Sequence, residues 1–217
     1  DVFLFQCLCN PDAPDSSVDQ SYMAFLIAAR TFREHGAAHL TAVLPYLAYG
    51  RQDKPTEFKR EPTTAKLMAE LSVVAGIDRI ITWDPHCGQL RGFYGDLPAH
   101  MLQPLTLFVE EFRRFQGRQD IVVVAPDAGA TRLVMYFGKA LDLECAIGSK
   151  FRPRPDESVL TQIAGDFTGK RIAIVLDDEL STGGTVFNLI RKLTSECGTH
   201  GLGEQGFVAH RADDFEP

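Results

Sequence analysis

The chain has 217 residues, a formal net charge of −7, and an ordinary balance of 45% hydrophobic and 24% charged residues. This length suits one large α/β domain or two small ones, and the acidic charge argues against a general nucleic-acid binder. No apolar run approaches the roughly 18 residues that a membrane helix needs, and nothing at the start resembles a signal peptide. The five cysteines are scattered without a CxxC pair, which favours isolated reduced thiols in a cytoplasmic protein.

Short apolar runs alternate with helical patterns along the chain, which predicts a parallel, doubly wound sheet with helices on both sides. In chain order the predicted elements are a strand at 2–7, a helix at 18–34, a strand at 40–44, a helix at 63–75, a strand at 79–83, a helix at 105–115, a strand at 121–125, a helix at 130–141, a strand at 144–148, a strand at 172–176, a helix at 186–197 and a strand at 207–210. Residues 99–104 are a plausible joint between two halves. The segment 150–157 is predicted to be a basic loop interrupted by prolines.

The most informative strand end is the one after residues 172–176, because two acids and a glycine-rich loop follow it. Asp177 and Asp178 come first, and then Ser181, Thr182, Gly183, Gly184 and Thr185. A strand, a small hydroxylated loop and a helix aim backbone N–H groups at a phosphate, and the adjacent acids suit vicinal hydroxyls. The pattern therefore favours a ribose phosphate. It is not a Walker A loop, since no Gly-Lys-[Ser/Thr] closes it; the alternative is a tight turn whose acids cap the next helix.

Polar residues also follow three other predicted strands, and in open α/β sheets ligands bind outside these carboxyl ends. The segments are PYLAYGRQDK after 40–44, DPHCGQ after 79–83 and PDAGA after 121–125, and a separate cationic segment reads KFRPRP. Charged surface loops and helix caps remain the alternative for each segment taken alone.

Taken in order, the segments PYLAYGRQDK, KREPTTAKL, WDPHCGQLRGFY, VVVAPDAGA, SKFRPRP and IVLDDELSTGGT resemble the ribose-phosphate pyrophosphokinase (phosphoribosyl pyrophosphate synthase) family. The resemblance runs from the start to about residue 198. It implies two similar doubly wound, parallel-sheet halves of the type I phosphoribosyltransferase-like fold, here 1–102 on the ATP side and 103–217 with the ribose 5-phosphate site and the catalytic loop. It also implies an enzyme of nucleotide biosynthesis. The β,γ-diphosphate of ATP moves to the 1-hydroxyl of ribose 5-phosphate, giving 5-phosphoribosyl 1-pyrophosphate and AMP.

On the donor side, the resemblance implies that Arg51, Gln52 and His86 bind ATP. It further implies that Lys150 and Arg152 are catalytic cations on a mobile loop. A divalent ion, expected to be Mg²⁺, should bridge phosphoryl oxygens, which are the ligands this ion prefers.

The family's metal-linked positions match His86 and Asp127. On the acceptor side, the resemblance implies that Asp177 and Asp178 hold the ribose 2- and 3-hydroxyls, and that the five residues from Ser181, Thr182, Gly183 and Gly184 to Thr185 hold the 5-phosphate. The family also leads us to expect a homo-oligomer based on dimers.

The chain departs from the family pattern in its length and at two positions. Ser181 stands where Asp is commonest, and Cys87 stands where a small residue such as Ala is usual. Compared with the family, the chain is expected to be a member shortened at both ends, without the N-terminal element that reaches a neighbouring subunit's adenine.

Two alternative functions remain at this stage. A phosphoribosyltransferase shares the acid and glycine loop but does not need the RQDK, WDPHCGQ and SKFRPRP segments. A non-catalytic regulatory relative would fit the shortened N-terminus, but the presence of Lys150, Arg152, His86 and Asp127 argues against it.

Overall fold

Two α/β units, Asp1–Pro104 and Leu105–Pro217, make up the computed structural model of the chain. The structure describes residues 1–9, 17–154, 157–178, 183–196 and 208–209. Within these residues no helix is long and apolar enough to cross a membrane.

Unit 1 is a parallel sheet of four strands whose order in space follows the order in the chain. Its elements are β1 (Val2–Phe5), α1 (Val18–Glu34), β2 (Leu40–Leu44), α2 (Thr64–Ala75), β3 (Arg79–Trp83), a 3-10 helix (Gly88–Tyr94) and β4 (Ala99–Leu102). The fourth strand lies where the sequence predicted a joint. It is only four residues long and contains His100, so its local pattern is weak. Its pairing with β3 establishes it as a strand.

The helices of unit 1 pack against one face of its sheet. The register aligns Leu4, Ala42, Ile80 and Ala99 across the four strands, and the last three of these are buried in the core with residues of α1, α2 and the 3-10 helix. On the opposite face Phe3 is 67% exposed, whereas Thr41 beside it is buried. The apolar core that the helices of this unit form therefore lies on one face of the sheet.

Unit 2 has a five-stranded sheet in the order β7-β6-β5-β8-β9. Its elements are α3 (Leu105–Glu111), a 3-10 helix (Arg113–Phe115), β5 (Ile121–Ala125), α4 (Thr131–Leu141), β6 (Glu144–Arg154), β7 (Glu157–Ala164), β8 (Ile172–Val175), α5 (Gly184–Glu196) and β9 (Val208–Ala209). Alternate residues of β5 face opposite cores: Val123 packs with residues of α3 and α4, and Val124 packs with residues of α5. Both faces are covered, so the predicted α/β fold with a doubly wound sheet is confirmed.

The structure corrects the predicted loop at 150–157. Strand β6 continues to Arg154 and pairs with β7 in antiparallel fashion, so the sheet is mixed rather than wholly parallel. Prolines are tolerated in strands at irregular positions, and the register shifts between Ser149 and Lys150 and again between Phe151 and Arg154. The partner strand lies further along the chain, and a reading of the proline-containing segment alone does not reveal it.

An arginine fixes the carboxyl ends of both helices in unit 1. Arg33, at the end of α1, donates to the carbonyl oxygen of Gly76 from Nη2 (2.8 Å) and Nε (3.1 Å) and to that of Ala37 from Nη1 (2.8 Å), and it pairs with Asp78. Asp78 also accepts from the backbone N–H of Leu40 at 2.8 Å. Burial opposes ionisation of Asp78, but these donors hold its pKa below the usual value. The guanidinium thus joins α1, α2 and the starts of β2 and β3.

Replacing Arg33 with Lys should lower the free energy of unfolding by about 2 kcal/mol, because an ammonium group cannot reproduce the planar set of donors. Urea denaturation measures the change. The matched control is Arg30→Lys on the same helix, where the guanidinium donates to the Val74 carbonyl and a lysine can replace that single bond. Equal losses of unfolding free energy for the two variants would contradict the proposed role of the Arg33 guanidinium.

Candidate functional site

The carboxyl ends of β5 and β8 carry the acids that the sequence singled out. The two strands are adjacent and parallel, with Val124 opposite Val175, and the N–H of Leu176 donates to the Val124 carbonyl at 3.2 Å. Asp127 follows β5, and Asp177 and Asp178 follow β8. Because parallel strands end at the same edge of a sheet, all three acids meet there, at the point where the strand order reverses.

Burial and the neighbouring carboxylates alter the acid–base behaviour of Asp177. Burial raises the pKa of Asp177 to about 7, and the side-chain hydrogen bond with Asp178 and the charges of Asp178 and Asp127 act in the same direction. The backbone N–H of Asp178 donates to Oδ1 of Asp177 at 3.0 Å and partly offsets the effect. The edge therefore concentrates negative charge that hydroxyl donors or a cation would stabilise.

Asp127 also has a structural role at the start of α4. Its Oδ1 accepts from the N–H of Gly129 at 2.8 Å and of Ala130 at 3.3 Å. Helix α4 begins at Thr131 after the N-cap residue Ala130 and has no side-chain cap hydrogen bond, so Asp127 is not the helix cap that the alternative supposed. Its bonds close the turn before the helix and hold the carboxylate at the sheet edge, where its charge acts on Asp177.

The glycine-rich segment connects β8 to α5 as a strand–loop–helix unit. Gly183 has φ +73°, and a Cβ there would lie 2.9 Å from the Phe187 ring, so the position requires glycine. Gly184 is the first residue of α5. Ser181, Thr182 and the side chain of Thr185 lie outside the described residues, so their predicted phosphate contacts remain predictions.

The predicted catalytic cations are on the β6–β7 hairpin. Ala125, the last residue of β5, pairs with Ile147 of β6, and β6 then continues to Arg154. Lys150 and Arg152 thus lie on the part of the hairpin that extends past the end of β5. Their side chains are outside the described set. The backbone places this basic segment at the same edge of unit 2 as Asp127.

Unit 1 brings the predicted ATP-binding residues to one sheet edge as well. Strands β2 and β3 are adjacent and parallel, with Leu44 opposite Thr82. Arg51 and Gln52 are in the turn segment after β2, and His86 comes three residues after β3. All three are exposed.

A hydrogen bond that the sequence did not predict joins the two segments of unit 1 that follow β2 and β3. The Cys87 thiol donates to Oδ2 of Asp53 at 3.3 Å. Burial raises the pKa of this thiol, and the bond to Asp53 raises it further, so the group stays protonated and can donate. Asp53 lies within the RQDK motif, but no local pattern relates it to a cysteine 34 residues away.

His86 belongs to unit 1 and Asp127 to unit 2, so their pairing at a metal stays a prediction. In the part of the chain that the structure describes, no group of three or more His, Cys, Asp or Glu residues is arranged to hold a metal ion by itself.

Comparisons with known proteins reveal similar sequences and a similar fold. Residues 1–76 match the family model of the N-terminal domain of ribose phosphate pyrophosphokinase. The ribose-phosphate pyrophosphokinases of Clostridium acetobutylicum and Mycoplasma pneumoniae are 38% and 36% identical to the chain over 210 and 209 residues, which is 93% of this chain in each case. A crystal structure of phosphoribosylpyrophosphate synthetase from Mycobacterium smegmatis matches with a TM-score of 0.75 and 32% identity, covering 88% of this chain and 59% of that one.

The chain spans 63% and 61% of the length of these two curated relatives. Its similarity extends across both α/β units, in sequence and in fold. The chain therefore resembles the ribose-phosphate pyrophosphokinases along most of its own length.

Proposed function

We propose that the protein is a ribose-phosphate diphosphokinase, which transfers the β,γ-diphosphate of ATP to the 1-hydroxyl of ribose 5-phosphate and releases AMP. The observation that carries the proposal is the acidic edge of unit 2, where Asp127 lies beside Asp177 and Asp178 at the strand-order reversal. The names of the relatives support the same reaction.

Asp177 and Asp178 would accept hydrogen bonds from the ribose 2- and 3-hydroxyls. A polyol supplies O–H donors to both carboxylates, which lowers the electrostatic cost of holding two acids side by side. The backbone at Gly183 and Gly184, where α5 begins, would present N–H groups to the 5-phosphate. Ser181, Thr182 and Thr185 would add hydroxyl donors there.

Positive charge for the transferred group must come from other residues. In phosphoryl transfer the charge develops on the phosphoryl oxygens, so catalysis depends on positioning and on cations. Lys150 and Arg152, on the hairpin that extends past β5, would supply that charge. Arg51, Gln52 and His86 would hold ATP from unit 1, since Arg can bind phosphate oxygens through two parallel bonds.

The residues present fit a magnesium ion bound together with substrate. Mg²⁺ prefers oxygen ligands and often combines one or two carboxylates with substrate phosphates and water, so it needs no cage of protein side chains. The carboxylate of Asp127 fits this preference. Burial is the main cause of the raised pKa of Asp177, and the repulsion from Asp178 and Asp127 that adds to it is one that a cation would relieve. His86 would act through bound water or by contacting phosphate. Bound Mg²⁺ would neutralise charge on the diphosphate.

We expect the protein to release AMP when it is supplied with Mg²⁺, ATP and ribose 5-phosphate, and we expect Lys150→Ala to reduce the rate by about 100-fold or more. Chromatographic quantification of AMP measures both. The matched control is Lys139→Ala on α4, an exposed lysine in the same unit, which should leave the rate unchanged.

No AMP from the unaltered protein at any Mg²⁺ concentration, together with tight ribose 5-phosphate binding, would contradict the enzyme and favour the non-catalytic relative. Consumption of 5-phosphoribosyl 1-pyrophosphate with a nucleobase, giving a nucleotide and releasing pyrophosphate, would instead identify a phosphoribosyltransferase.

Asp177→Asn should stabilise the metal-free protein at pH 8 while weakening ribose 5-phosphate binding. Between pH 4 and pH 7 the folded protein keeps a proton on Asp177 that the unfolded chain releases, so this group lowers stability as the pH rises. Removing the carboxylate should raise the free energy of unfolding by about 2 kcal/mol more at pH 8 than at pH 5.

Urea denaturation in EDTA at the two pH values measures this difference. The control is Asp96→Asn, an exposed carboxylate in unit 1, for which we expect no such difference. A gain for Asp177→Asn that is the same at both pH values would refute the raised pKa as its cause.

A further inference from the structure

We propose that the hydrogen bond between Cys87 and Asp53 is a positioning link, which holds the two segments of unit 1 in the arrangement that receives ATP. The inference rests on the proposed function for its meaning. Its geometry is independent of that function.

The link lies directly between the exposed candidate residues. Asp53 and Cys87 are both partly buried, whereas their neighbours Gln52 and His86 are exposed. The thiol donates to Oδ2 of the carboxylate at 3.3 Å. Each exposed residue is therefore one peptide bond from a linked residue, and breaking the link would loosen the backbone beside both.

Each segment is also supported on its own side. The N–H of Ala65 in α2 donates to the Gln52 carbonyl at 3.2 Å, and the N–H of Leu90 in the 3-10 helix donates to the Cys87 carbonyl at 3.3 Å. A Cβ at Gly50 would lie 3.5 Å from the Leu90 side chain, so the first segment passes close over the 3-10 helix. These contacts fix where each segment lies relative to its neighbouring helix, and the link fixes the distance between the two segments.

Backbone conformation adds to the need for such a link. Tyr49 and Asp84 adopt φ of +62° and +27°, values that non-glycine residues rarely take and that persist where the surroundings hold them. One lies in each segment, close to Arg51 and His86. The link lies on the carboxyl side of both strained positions, where it opposes their relaxation.

The cysteine departs from the family pattern, in which a small residue such as Ala is usual at that position. An alanine has no donor for Asp53. We therefore expect Cys87→Ala to raise KM for ATP about three- to tenfold, with kcat and KM for ribose 5-phosphate unchanged. Cys87→Ser keeps a donor and should recover most of the loss.

The decisive experiment is a double-mutant cycle of Cys87→Ala and Asp53→Ala, read as KM for ATP and as the calorimetric Kd of the β,γ-imido analogue of ATP with Mg²⁺. A link predicts that the double variant is no worse than the poorer single variant. Cys145→Ala is the control, because this partly buried thiol lies in unit 2 and bonds to backbone carbonyls; it should leave both values unchanged.

The link would be overturned if the effects of the two single substitutions multiplied in the double variant. It would also be overturned if Cys87→Ala left KM and Kd unchanged. Calorimetry needs no turnover, so a protein that binds the analogue but releases no AMP would count against the proposed function alone. Amide hydrogen exchange of residues 50–54 without nucleotide supplies a second readout: Cys87→Ala should accelerate it, Cys87→Ser should not, and equal exchange in both would overturn the proposal.

Discussion

The reversal of strand order beside β5 is the constraint on which the candidate site depends. From β5 the chain crosses to β6 on one side and later returns to β8 on the other. Helices α4 and α5, which follow β5 and β8, consequently pack on opposite faces and leave the shared strand ends uncovered between them. The acids after the two strands meet in that opening because the backbone topology requires it.

This arrangement is electrostatically unfavourable, and the backbone maintains it. Asp127 is held by two N–H groups in the turn before α4, and the partly buried Asp177 is held by the N–H of Asp178. Neither carboxylate can turn away without losing these bonds. All five residues of β5 are fully buried, and apolar burial of this kind contributes stability that offsets the repulsion. An apolar strand interior and an acidic strand end thus lie next to each other.

The parts of the structure that follow local rules could be predicted from the sequence. The run at 121–125 is apolar throughout and predicts a strand covered on both faces, and the acids after it and after 172–176 then follow from parallel pairing. What could not be predicted depends on distant partners. The prolines near Arg152 suggested a loop, but pairing with β7 extends the strand. The bond between Asp53 and Cys87 joins residues 34 positions apart, a distance at which residue spacing carries no information.

The extended hairpin resolves a difficulty that the acidic edge creates. A diphosphate approaching Asp127, Asp177 and Asp178 would be repelled by the same charges that suit a ribose, so the edge needs cations that are close but separate. Strand β6 is the neighbour of β5 on the side away from β8, and it continues seven residues beyond the last β5 pairing at Ile147. A strand rises about 3.3 Å per residue, so Lys150, three residues past Ile147, is carried roughly 10 Å beyond the sheet edge. The basic segment therefore lies on the strand adjacent to the acids but outside their cluster, and this separation suits the proposed binding of a sugar and a diphosphate together.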